Sequence, residues 1–144
     1  MNETKLFHSE VFMPDHLIEL VRKINSRIDN VRFSYHLKSQ SRDNNDKKHA
    51  MSLVVLDNVI KSSKDEEINP FEIELFHVEE KRWRVTKYVF RHSYDETRDV
   101  VIVIAPTING DHCDWKNVVV KTAWLNNKDD VHATLDEKRY ATEL

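Results

Sequence analysis

The chain has 144 residues, a length that suits one domain, and we read 1–144 as a single unit. Glycine occurs once, at Gly110, where average usage of about 7% would give roughly ten; the glycine-rich phosphate cradles of dinucleotide folds and P-loops are therefore excluded. With 22 basic and 25 acidic residues the net charge is −3, so overall charge does not point to nucleic acid and only its distribution can.

The lone cysteine, Cys113, makes no internal disulfide and leaves no CxxC metal pair. Met1-Asn2-Glu3-Thr4-Lys5 is polar and no apolar leader core follows it. The longest uninterrupted apolar run, Val100 to Ala105, is six residues, against roughly 20 for a bilayer span. These features predict a soluble, cytoplasmic protein of a reducing compartment with no membrane contact.

In chain order, Pro14-Asp15 opens a stretch whose apolar residues recur as Leu17, Leu20/Val21, Ile24, Ile28 and Val31. That spacing predicts an amphipathic helix from Pro14 to Asn30, with a stripe able to close a core or to dock a partner. A weaker helical start lies at Ser34-Tyr35-His36-Leu37, then a polar loop covers Gln40 to Lys48. Met51 to Ile60 reads as a third helix, ending in the charged run Lys61 to Glu67.

After Asn69-Pro70 the period changes from helix to strand. Phe71, Ile73 and Leu75 alternate with Glu72 and Glu74, and Arg82 to His92 alternates likewise. Tyr94-Asp95-Glu96-Thr97 reads as a hairpin turn into Val100–Ile104, a strand apolar on both faces and so central. Ile108 to Lys116 reads as a loop and Val118 to Trp124 as the last strand. Thr134-Leu135-Asp136-Glu137 fits a capping box for a short terminal helix through Tyr140. The expected fold class is α+β, with N-terminal helices packed on one face of an antiparallel sheet of about four strands and a short C-terminal helix.

The densest chemical signal is Lys81 to His92, which holds Lys81, Arg82, Arg84, Lys87 and Arg91 and no acid. Cations interleaved with aromatics suit phosphate contacts and base stacking, as in single-stranded RNA recognition. Alternation puts Arg82 and Arg84 on one face and Lys87 and Arg91 on the other. The plainer alternative is a solvated strand paired with Glu72, Glu74, Glu79 and Glu80. His36, where an apolar lead-in meets polar residues, is a candidate general base or a structural boundary histidine, because histidine changes charge near neutral pH. Thr122 and Trp124 share one strand face, so Thr122 is placed to bond a phosphate oxygen and Trp124 to stack a base or fill the core. Asp130, His132 and His112 match no metal-ligand spacing, so no metal is expected.

The element order, His36, Arg91, the strand Val118-Val119-Val120-Lys121-Thr122-Ala123-Trp124 and the tail His132 to Tyr140 together resemble the barnase–EndoU–colicin–RelE superfamily of small metal-independent ribonucleases. The similarity spans roughly Val31 to Tyr140. It implies a toxin- or phage-associated endoribonuclease that needs no cofactor and cleaves RNA by attack of the ribose 2′-OH on the adjacent phosphate. His36 would be the base or acid and His132 the second proton carrier. Arg91 and Lys87, or Arg84 from the other face, would hold the phosphate. Thr122 would donate to a nonbridging oxygen, and Trp124 or Tyr88 would stack a base. Implied partners are an RNA substrate and a protein antitoxin or host target. Because some members of the superfamily have lost their catalytic residues, a non-catalytic protein that binds and inhibits a host protein is the alternative.

Overall fold

A computed structural model describes residues 4–41, 52–79, 82–110 and 112–130, except for the side chains of 40, 41, 77–79 and 82. Along the chain run β1 (Thr4–His8), α1 (Asp15–Ser26), β2 (Asn30–Phe33), α2 (Tyr35–Ser41), α3 (Leu53–Ser63), β3 (Pro70–Glu79), β4 (Arg82–Ser93), β5 (Arg98–Asn109) and β6 (His112–Asn127). The strands form one six-stranded sheet in the order β1-β3-β4-β5-β6-β2. Every pairing is antiparallel except that of β2 with β6.

The expectation of an antiparallel sheet of about four strands is therefore corrected to a six-stranded mixed sheet with, among the described residues, three helices. The two additional strands are both short edges. β1 adds five residues beside β3, and β2 adds four beside β6, with Val31 opposite Val118 and Phe33 opposite Val120. Val31 had extended the helical stripe because it lies at helical spacing from Ile28 and Ile24, but α1 ends at Ser26. A segment this short becomes a strand only because a distant partner supplies its hydrogen bonds.

Alternation along β5 divides its apolar residues between two faces, which is why this strand sits inside the sheet. Val100, Ile102 and Ile104 enter the main core with Val85, Tyr88 and Phe90 of β4 and Val118 and Val120 of β6. The helices bury Leu17 and Val21 of α1, Leu37 of α2, and Leu56 and Ile60 of α3 in that same core. The α1 stripe is thus largely spent on closing the core. On the other face Val101 and Val103 join Val89 and Trp124 in a second buried cluster.

The helix starts follow capping chemistry. Ser52 accepts a hydrogen bond from Val54 N–H at the head of α3, and Ser34 accepts one from Leu37 N–H at the head of α2. Residues 108 to 116 are not the expected loop. β5 continues to Asn109, the chain reverses at Gly110 with φ +58°, and β6 resumes at His112. The terminal helix expected at Thr134 to Tyr140 lies outside the described residues. No helix among the described residues is long and apolar enough to cross a membrane.

Candidate nucleic-acid interface

Arg84, Lys87 and Arg91 of β4 share a face, contrary to simple alternation. Glu74 lies opposite Lys87 and Leu75 opposite Val85, which leaves Thr86 as an extra residue in a bulge. Because Val85 and Tyr88 both point into the main core, Arg84 and Lys87 both point to the other face, with Val89 and Arg91. Thr86 Oγ1 donates to Glu74 Oε1 at 2.8 Å, which fixes the bulge.

On that face Arg91 and Arg84 are engaged with the protein. Arg91 Nη1 donates to the Asp130 carbonyl at 2.6 Å and Nη2 to the Asn127 carbonyl at 2.9 Å. Its Nε lies 3.3 Å from Asp99 Oδ2, and the guanidinium stacks over Phe71 at 5.2 Å. An arginine tied at three points clamps the end of β6 and is badly placed to close on a phosphate. Arg84 lies over the Phe76 ring at 5.6 Å, and Lys87 is cross-strand from Glu74.

Two aromatic assignments are corrected by burial. Tyr88 is 0% exposed, stacks on Trp115 at 5.4 Å between centroids, and donates its hydroxyl to Asn25 Oδ1 at 2.7 Å. Burial pushes its phenol pKa up, and no base can reach the ring. Trp124 is 9% exposed in the second cluster with Val89, Val101 and Val103, so it fills a core. Thr122 is half-buried on the same face, opposite Val103.

His36 is exposed in the first turn of α2. Ser34 positions that turn: its N–H donates to the Val120 carbonyl at 3.0 Å and its hydroxyl to the Lys121 carbonyl at 2.7 Å. The head of α2 is thereby pinned to β6 beside Lys121. However, α2 docks through Leu37 on the main-core face, whereas Thr122, Lys87 and Arg91 point to the opposite one. The sheet separates His36 from the groups expected to work with it. His132 lies outside the described residues. Among the described residues no three His, Cys, Asp or Glu side chains group as a metal site.

What converges instead is a pair of acid-free segments, bounded at the Lys116 end by Asp29 and Asp114. Residues 30–41 contain Arg32, His36 and Lys38, residues 115–128 contain Lys116, Lys121 and Lys128, and neither segment holds an Asp or Glu. The parallel β2–β6 pairing and the Ser34 anchor bring the two segments side by side. Arg32, His36, Lys38, Lys116 and Lys121 are all exposed. Arg32 Nη2 donates to Thr107 Oγ1 at 2.9 Å, and among the described residues neither Arg32 nor Lys121 has a carboxylate partner. Lys128, at the far end, is committed to Asp99 at 2.8 Å. Sequence reasoning passed over Arg32, Lys38 and Lys121; the signal that could have found them is the lack of acids in both stretches. No family model matches the chain, and neither a curated protein nor a solved structure matches it.

Proposed function

We propose that this protein is an endoribonuclease that grips RNA along the β2–α2–β6 edge, with His36 as the proton-transferring group. One observation carries the reading: two acid-free segments of a net-negative chain meet there, exposing Lys38 on the helix of His36, Lys121 on the strand that anchors that helix, and Arg32 on the opposite face of β2. Such a patch attracts a polyphosphate backbone although the whole molecule is anionic.

In the proposed step the His36 imidazole takes the proton of a ribose 2′-OH. The 2′ oxygen bonds to the adjacent phosphorus, and the bond from phosphorus to the 5′ oxygen breaks. A 2′,3′-cyclic phosphate and a 5′-hydroxyl result, the leaving oxygen taking its proton from the imidazolium or from water. Lys121 offsets the charge that builds on the nonbridging oxygens, and Arg32 holds the RNA backbone further along the edge.

The test is incubation of RNA with the full chain in EDTA. Wild type is expected to cleave. His36→Ala is expected to cleave about 10²-fold or more slowly, the scale of a lost acid–base group, while still binding RNA. RNA left intact by wild type at high concentration overturns catalysis. A second reading, non-catalytic binding at the same edge, is favoured by the separation of His36 from Thr122 and Arg91 across the sheet. It predicts bound but intact RNA, or a captured protein partner whose affinity His36→Ala leaves unchanged.

A further inference from the structure

Resting on the RNA reading above, we infer that the groove beside β2 is a subsite for an unpaired nucleotide, with Tyr35 as the platform on which its base stacks. The groove has a volume of about 430 Å³ and is lined by Val31, Phe33 and Val119 together with Arg32 and Lys38. Apolar walls with two cations suit a nucleotide, which presents a flat apolar face at one end and a phosphate at the other.

Tyr35 does not line this groove but neighbours its Lys38 wall on α2. It lies one helical turn before Lys38, so the two side chains share a side of α2. With Leu37 turned into the core, helix geometry sends His36 and Lys38 out on opposite flanks and leaves Tyr35 between them, directed away from the sheet. Its ring is 87% exposed, the most exposed large apolar side chain among the described residues, and so contributes little to folding. An aromatic ring in that position offers a stacking face between a candidate base catalyst and a candidate phosphate contact.

A base inside a duplex has both faces stacked on neighbours and cannot lie on that ring, whereas an unpaired base can. Duplex RNA is left with the cations alone. An acidic peptide would meet the same cations but brings no flat base to Tyr35, so the ring decides between the two.

The experiment measures fluorescence anisotropy on the full chain with three probes. These are a single-stranded RNA of about 12 nucleotides made uncleavable by 2′-O-methylation, its duplex, and a poly-glutamate peptide. The single strand is expected to bind about tenfold or more tightly than either other probe. Tyr35→Ala is expected to weaken single-strand binding by about 5- to 150-fold, and Tyr35→Trp to restore it. Circular dichroism should stay unchanged, since the ring is exposed. Equal binding of the duplex or of poly-glutamate overturns the inference, as does a Tyr35→Ala variant that binds like wild type. Selective single-strand binding without cleavage of natural RNA would overturn the catalytic reading and leave the subsite standing. Cleavage that Tyr35→Ala leaves untouched would overturn the subsite alone.

Discussion

Asp95 shows how one carboxylate organises the β4–β5 turn. Its Oδ1 accepts from Thr97 N–H at 3.0 Å and Arg98 N–H at 2.7 Å, while its Oδ2 accepts from the Arg98 guanidinium at 2.7 Å. These bonds, the Arg98 side chain first, hold the carboxyl down from 3.8 to about 2. A depressed folded-state pKa adds stability that is present above the ordinary carboxylate value and is lost as pH falls through the folded one. Asp95→Asn keeps a carbonyl for the two backbone donors but removes the charge. The difference in melting temperature between wild type and Asp95→Asn is therefore expected to be constant above about pH 5 and to shrink between pH 3.8 and about 2. A thermal melt series across that range checks it, and a pH-independent difference would show that the charge is not what holds the turn. Arg91 makes a parallel point about residue identity. In the sequence it reads as a phosphate ligand, yet bonds to two carbonyls and the proximity of Asp99 make it a clamp. Side-chain charge alone does not tell the two apart.

Among the elements, a buried polar chain joins β4 to two helices. The Tyr88 hydroxyl donates to Asn25 of α1, whose Nδ2 donates to the Ser63 carbonyl and hydroxyl of α3, and the Ser63 hydroxyl donates to the Ile60 carbonyl. Tyr88→Phe keeps the ring but strands the Asn25 oxygen in the core. It is expected to lower stability by about 1–3 kcal/mol, the cost of an unsatisfied buried acceptor, as read by urea unfolding. The central strands were legible in the sequence because each carries its own alternation, as in Phe71-Glu72-Ile73-Glu74-Leu75. β1 and β2 were not, because Leu6-Phe7 and Val31-Arg32-Phe33 are too short to show a period, and only pairing with Leu75, Ile73 and the Val118–Val120 run defines them. The Thr86 bulge carries no local signal either. It moved Arg84 to the face of Lys87 and Arg91 by a register shift that strand alternation cannot foresee.

At the scale of the whole molecule, function was less legible than fold. Composition excluded glycine-cradle nucleotide folds from one glycine count. It could not reveal that residues 30–41 and 115–128 would lie together, since their meeting depends on pairings such as Asn30 Nδ2 with Asn117 Oδ1, 87 positions apart. Each segment carries its charge pattern in the sequence, and only the fold makes them one surface. The net charge of −3 then becomes informative, because on the proposed reading an anionic body with a cationic edge would confine RNA to that edge.

The most direct measurement is RNA affinity as a function of salt, for wild type and for a variant carrying Arg32→Gln, Lys38→Gln and Lys121→Gln. Three phosphate contacts predict a slope of log affinity against log salt near about −2 for a single strand, falling toward zero in the variant, with circular dichroism unchanged. A variant that keeps the wild-type affinity and slope would contradict the account, because the RNA would then be held somewhere other than the β2–α2–β6 edge.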